Sequence, residues 1–366
     1  MTSEHVYEAA VTTAPSPATL DVVGGRITLD ARRSPHVNAS LRCIRGDEAS
    51  IALLDPRVTP RVLLGVVATI NGVMQSRTFD LGVRRRPIPL TENTYEISLA
   101  SDEELLQDYK PLADVDLSAF DGRDLVNEAL DTAIPGASLE PGIDFTVSVD
   151  AADEVKVWKA GDSAEQFLRP ILQASGLRLV CDEQRQWTLR DEDYTAGGML
   201  NVRHGLNLMD GEDSIDRDSG IWFEAAIARY RWRDGAGNEQ LAVDAYAESP
   251  SYTRAEVFDF DHPYPGPGFA EYAVRRAKGR GREVSFTIEM DWNAQAEQTV
   301  FAVLDDMPFQ VGSTQSITFD LDNDLMSGTT MTLEAPDTAY IFGPVGVAYE
   351  DVPVGVAYED FDWSAL

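Results

Sequence analysis

The chain has 366 residues, with 62 acidic against 30 basic side chains and a formal net charge of −32. Its length predicts two or three domains, and a hydrophobic fraction of 43% is enough to build cores, which excludes wholesale disorder. Negative charge on this scale excludes a sequence-specific or general nucleic-acid binder and argues against anionic membranes; two cysteines, Cys43 and Cys181, are too few for a disulfide framework or a structural zinc site.

Residues 1–20 show neither a basic n-region nor an apolar h-region, so no secretory signal is expected. The longest apolar run, Val62 to Ile70, falls far short of the roughly 20 residues a spanning helix needs, so membrane insertion is not expected. Charge is uneven along the chain. Residues 1–100 hold 11 basic and 10 acidic side chains, whereas residues 101–366 hold 19 and 52. A near-neutral first part joined to a strongly acidic remainder suggests different neighbours for the two.

Residues 1–24 contain Pro15, Pro17 and Gly24 and read as an arm with at most one short strand. Residues 25–100 read as a first β-unit. Arg26 to Leu29 and Asn38 to Ile44 alternate apolar and polar, as strands with one buried face do. Arg61 to Ile70, Asn71-Gly72 and Val73 to Val83 form the best hairpin, since Asn-Gly supplies the positive φ values of a type I′ turn. Thr94 to Ala100 closes a set that suggests a small antiparallel barrel or sandwich.

Residues 101–195 read as an α+β module. Ser101 offers an N-cap, Asp121 to Ala133 places Leu125, Ala129 and Leu130 on one helical face, and strands are expected at Phe145–Val149 and Val155–Trp158. A capped helix follows over Ser163 to Ser175 with Phe167, Leu168, Ile171 and Leu172 as its apolar stripe, ended by Gly176. Leu177–Cys181 and Gln186–Arg190 then form a hairpin.

Residues 196–335 return to β and read as a second barrel or sandwich. Ile221 to Trp232, Glu283 to Met290 and Gln315 to Leu321 are its clearest strands, and Phe269 to Arg276 is a short helix. Residues 336–366 hold six acidic and no basic side chains, and Pro344 to Asp351 recurs unchanged as Pro353 to Asp360. Two copies are too few for a solenoid. The segment reads as an extended tail ordered by a partner. Val345, Val347, Tyr349, Val354, Val356, Tyr358 and Trp363 are its candidate docking residues, because Val and Tyr beside Pro and Gly suit strand addition at a sheet edge.

Complete catalytic or metal motifs are not found. Asp320, Asp322 and Asp324 imitate the opening of a calcium loop, but the sixth and twelfth positions are Leu325 and Met331 instead of Gly and Glu, so a polar hairpin turn is expected. Asp210, Asp213, Asp216 and Asp218 read as a solvated loop. Cys43 and Cys181 read as small core residues, and His36 and His262, each beside a proline, as structural or exposed. The basic exceptions in this acidic chain are Arg84, Arg85 and Arg86, and the run Arg275, Arg276, Lys278, Arg280 and Arg282. Pairing with an acidic surface of another subunit explains them better than nucleic acid does.

An order of β-unit, α/β insert, second β-unit and acidic tail resembles the tail hub proteins of tailed phages. Local resemblance is to minor tail proteins of siphophages of GC-rich Gram-positive hosts. It is carried by Ile27 to Leu41 with Leu54-Asp-Pro-Arg57, by Trp158 to Ala164 through Leu177–Val180 to Trp187–Arg190, and by Asp305 to Phe309 through Met331 to Leu333. The resemblance implies a homotrimer in the virion, assembled in the host cytoplasm. It would join the sixfold distal tail ring and the tape-measure C-terminus to a tip or fibre, with no cofactor and no catalytic centre. Some relatives carry a peptidoglycan-cleaving domain, whose residues are not found here. A β-rich carbohydrate- or receptor-binding module, and then an acid-based cell-wall hydrolase, are the rival readings.

Overall fold

In a computed structural model, the structure describes residues 3–13, 18–70, 72–215, 222–277, 282–304 and 310–334. The first part comprises β1 (Ser3–Val11), β2 (Ala18–Leu20), β3 (Val22–Asp30), β4 (Val37–Ile44), α1 (Glu48–Ala52), β5 (Arg61–Ile70), β6 (Val73–Arg85) and β7 (Thr94–Ala100). The middle comprises α2 (Glu103–Asp108), β8 (Val115–Asp116), α3 (Gly122–Ala133), β9 (Val157–Trp158), α4 (Ala164–Ala174), β10 (Arg178–Cys181) and β11 (Trp187–Arg190). The last part comprises β12 (Ala196–Arg203), β13 (Leu208–Ile215), β14 (Ala225–Arg233), β15 (Glu239–Ala247), β16 (Ala255–Phe260), α5 (Phe269–Ala277), β17 (Arg282–Glu289), β18 (Gln298–Val303), β19 (Gln310–Asp320) and β20 (Leu325–Glu334). The chain is mainly β with an α+β insert, as its patterning implies.

The two flanking β-units are not separate barrels. Their strands share one 13-stranded sheet, ordered β13-β17-β20-β19-β3-β4-β7-β6-β5-β1-β2, with β18 also on β19 and β12 on β18; among the described residues no sheet closes into a barrel. The join is β19 on β3, antiparallel from Ser316 opposite Asp30 to Asp320 opposite Arg26. Each half-sheet would otherwise leave a row of unpaired backbone donors and acceptors, and the two edges satisfy one another. The hydroxyls of Thr28 and Thr318 meet across the join at 3.0 Å. Leu321 N–H donates to the Gly25 carbonyl at 2.9 Å; a Cβ on Gly25 (φ +137°) would lie 2.2 Å from the Ser40 carbonyl oxygen, so only glycine fits there.

One apolar core underlies both halves. Trp292 stacks on Phe319 with centroids 4.7 Å apart, and Phe79 meets both edge-on. The expected arm is instead β1, paired with β5 along its whole length and burying Ala9 and Val11. Its alternation overrides the turn residues that follow. The 61–85 hairpin forms in the expected register, with Gly72 at φ +82°, while Asn71 lies outside the described residues.

The middle has its own core, built from α3, α4 and the β10–β11 hairpin. Ser163 and Gln166 form a reciprocal capping box, at 3.2 and 2.8 Å, and Trp158 stacks on Phe167 at 5.4 Å. Ser101 does not cap α2. Its hydroxyl donates to Glu103 at 2.8 Å and accepts from Val37 N–H at 3.2 Å, and Asp102 holds the N-cap position. No strand forms over residues 145–149: Val147 N–H is taken by the Asp121 carboxylate at 3.0 Å instead of by a neighbouring strand. Only Val157–Trp158 of the next expected strand pairs, against β8.

Strands β14, β15 and β16 stand apart from the large sheet, with β14 central and α5 packed on them. The Asp244 carboxylate of β15 accepts from Gly268 and Ala270 N–H at 3.1 and 2.8 Å, capping α5 from a distance. Gly268 (φ +131°) lets α5 approach α4, since a Cβ there would lie 2.0 Å from the Ala174 carbonyl oxygen.

Candidate functional site

The chemistry-bearing residues converge where the middle module meets the large sheet, and there they form locks. Arg61 of β5 donates to the Asp80 carboxylate at 2.8 Å and to Asp102 at 2.5 Å, and Arg185 of the β10–β11 turn donates to the other oxygen of Asp102 at 2.9 Å. Arg77 of β6 donates to Glu183 at 2.6 Å and to the carbonyls of Trp292 and Ala294 at 3.1 and 2.6 Å. Its guanidinium lies 5.2 Å from the Phe79 ring centroid and 5.4 Å from that of Phe319. Arg190 of β11 and Arg178 of β10 both pair with buried Glu297, Arg190 at 2.8 Å.

Glu103 is buried and accepts from the N–H of His36, from the Ser101 hydroxyl at 2.8 Å and from Cys181 N–H at 3.2 Å. Burial pushes its carboxyl up to about 7, against the pull of those donors. Burial, with the charges of Arg190 and Arg178, pushes the His36 imidazole down to about 3. Its Nδ1 lies 3.0 Å from the Asp30 carbonyl oxygen. Burial raises the Cys181 thiol well above its ordinary range, so it is a thiol and not a nucleophilic thiolate. Each of these groups is spent on a partner within the chain, an arrangement that fastens elements together. Sequence reading missed the seam, although Arg77 carried a signal: it holds the inward parity of β6 alongside Phe79 and Leu81.

Of the arginines singled out in the sequence, Arg84 lies between Glu104 and Asp108, 2.7 Å from each; Arg85 is exposed and Arg86 half-buried. Arg275 pairs with Glu271 at 2.5 Å and approaches Glu192 at 3.9 Å. Arg276 lies 5.6 Å from the Tyr272 ring centroid, and Arg282 pairs with Asp213 at 2.7 Å. The structure thus spreads the described ones over β6 and the residue after it, α5 and β17. Lys278, Arg280, Asp216, Asp218 and the docking candidates Val345, Val347, Tyr349, Val354, Val356, Tyr358 and Trp363 lie outside the described residues.

Asp320 at the end of β19, with Asp322 and Asp324 after it, forms the expected polar turn. Asp320 accepts from Asp322 N–H at 3.0 Å, Asp322 pairs with Arg42 at 2.6 Å, and Asp324 accepts from the Tyr7 hydroxyl at 2.9 Å. Among the described residues no group of three or more His, Cys, Asp or Glu is placed to hold a metal ion, and no helix is long and apolar enough to cross a membrane.

No family model matches the sequence, and no curated protein matches it. Solved structures do match. A 43 kDa tail protein of prophage MuSo2 from Shewanella oneidensis superposes with a TM-score of 0.55 at 13% identity, over 88% of this chain and 98% of its own. A tail protein from Neisseria meningitidis MC58 gives 0.56 at 12%, over 89% and 96%. Prophage tail protein gp18 from Listeria monocytogenes EGD-e gives 0.51 at 10%, over 90% and 95%. The chain therefore has the fold of phage and prophage tail proteins, as its sequence resemblance implied.

Proposed function

We propose that the chain is a structural virion protein: a homotrimeric hub at the distal end of a phage tail, joining the sixfold tail ring to a tip or fibre. The observation that carries this reading is the likeness to three tail proteins, two of them from prophages, over nearly the whole length of both partners. Three copies of a chain with two similar β-halves present six roughly equivalent positions, which suits a sixfold ring. The seam favours architecture over catalysis, because its buried carboxylates, imidazole and thiol are committed to structural bonds. This is a reading without a catalytic centre or cofactor.

The outward face of β1 and β5 supports a ring contact by the near-neutral first part. Val6 lies directly opposite Val67, with Leu63 further along, each more than 40% exposed. Arg84, Arg85, Arg86, Arg275, Arg276, Lys278, Arg280 and Arg282 are assigned to or near intersubunit contacts, facing the acidic surface of a neighbouring copy. Residues 336–366 dock on another chain, and the tape-measure C-terminus is a further partner. The acidic excess of residues 101–366 lines the axial channel, where it keeps ejected DNA from adhering: phosphates carry about one charge per 1.7 Å of duplex, and a basic wall would hold them through counterion release.

Stoichiometry tests the hub. Three copies per tail in a virion reconstruction, next to the distal ring, are expected. Any other number, or a position along the tube, overturns it. Cell-wall hydrolysis by the pure protein would overturn the architectural role.

A further inference from the structure

One cavity breaks the pattern of matched charges. It has a volume of about 300 Å³ and lies between the end of β3, helix α4, strand β10 and helix α5. Five arginines line it (Arg32, Arg33, Arg169, Arg178 and Arg276) against two glutamates, Glu103 and Glu165. In a chain of net charge −32 this is a concentrated reversal of sign.

The cations are incompletely matched. Glu165 is taken by Arg169, and Glu103 by the backbone and hydroxyl donors described above. Arg178 pairs with Glu297, Arg33 approaches Asp30 at 3.3 Å and Arg276 lies over the Tyr272 ring, while Arg178 and Arg276 each also reach the carbonyl oxygen of Ala31 at 3.4 Å. The Nε atoms of Arg32 and Arg178 are buried without a hydrogen-bond partner. A buried guanidinium donor left unpaired is costly, and an entering carboxylate would accept from it in the planar geometry that guanidinium groups favour. Burial lowers Arg32 against the pull of Glu283 and Asp30, and burial with the charges of Arg276 and Arg190 pushes Arg178 down to about 9.

We propose that this cavity is a carboxylate-binding site for an acidic peptide, and that its occupant is the Glu-Asp pair ending each repeat of the C-terminal segment, Glu350-Asp351 or Glu359-Asp360. Residues 336–366 carry six acids and no base, so their charge complements the cavity. Their point of departure is close. Ala31, on the cavity wall, donates its N–H to the Gln315 carbonyl of β19 at 2.9 Å, and β20 ends at Glu334 opposite Val311, four residues along the same strand. At roughly 3.3 Å per residue, the 16 residues from Glu334 to Glu350 reach on the order of 50 Å, against the four residues of β19 between Val311 and Gln315. The supplier is the same copy or a neighbour; only the second case rests on the proposed trimer.

Disulfide trapping in the full chain tests this. Gln173→Cys on the cavity wall is combined with Ala348→Cys or Ala357→Cys, each two residues before a Glu-Asp pair; the native Cys43 and Cys181 are both buried. Efficient cross-linking is expected, within one chain or between two according to the supplier. It should fall by about tenfold or more with Arg32→Gln and Arg276→Gln, and equally with Glu350→Gln, Asp351→Asn, Glu359→Gln and Asp360→Asn. The second set leaves the cavity intact, so misfolding cannot imitate its effect. Equal trapping from exposed Leu241→Cys, or trapping indifferent to both charge sets, overturns the proposal. A monomer that still traps within one chain supports the site while refuting the trimer.

Discussion

The core of the large sheet and its seam with the middle module solve the same problem by opposite means. In the core, residues more than 200 positions apart meet through dry aromatic packing, Phe79 against Trp292 and Phe319. At the seam, elements meet through arginine and carboxylate. Apolar burial supplies most of the free energy but is indifferent to direction; guanidinium–carboxylate pairs add little net energy yet permit few orientations. The difference teaches that the sheet is held by area and the module is aimed by geometry.

That contrast breaks most readily at the core. Trp292→Ala should cost about 3–5 kcal/mol in urea unfolding, from lost area and the cavity left beside Phe319. A loss below about 1 kcal/mol would show that the stack contributes little. Next comes Asp102→Ala, which strands Arg61 and Arg185 in a site where the aspartate is only 2% exposed; a loss of about 3 kcal/mol is expected. If the seam aims the module, protease sensitivity should rise within residues 101–195 more than in the sheet. Gly268→Ala should destabilise by about 1–3 kcal/mol, because the new methyl meets the Ala174 carbonyl at a positive φ; hydrogen exchange in α5 should report it first.

Acidity sharpens the comparison, since the stack of Phe79, Trp292 and Phe319 holds no ionisable side chain. Glu103, raised to about 7, contributes stability that is fully present below its ordinary value and is lost as pH rises through about 7. His36, lowered to about 3, contributes stability that is present above its ordinary value and is lost as pH falls towards about 3. The two oppose one another at mildly acidic pH. Glu103→Gln, a mimic of the protonated acid, should therefore gain on the wild type between pH 5 and pH 8 in urea midpoint; a constant difference would refute the raised value. Smallest is Arg84→Ala, whose pairs with Glu104 and Asp108 are partly solvated and worth about 1 kcal/mol or less.

What the sequence made legible follows from range. The β5–β6 hairpin and helices α3 and α4 were readable because alternation, a capping box and an apolar stripe lie within a few residues of one another. The β19–β3 join was not readable, since no local pattern tells Ile27 that Phe319 will lie opposite. Residues 1–24 read as an arm because the proline and glycine after Val11 mask the alternation before it. Phe145 to Val149 has strand composition, but the Asp121 carboxylate decides its conformation. The seam was hidden for a related reason: with 62 acids in the chain, Asp102, Glu103 and Glu297 have nothing in sequence to distinguish them.

The β19–β3 join also orders events on the ribosome. Strand β3 is synthesised almost 300 residues before the strand that covers it, so its edge leaves the exit tunnel with no partner and must wait. The middle module, whose pairings are local, can complete itself in that interval, while long-range pairing is slow and exposes sheet edges to other chains. Many copies made at once from one message would present the same bare edge together. A nascent chain stalled before β19 should therefore associate with its neighbours, and release of the last strands should end that association by filling the place the neighbours occupied.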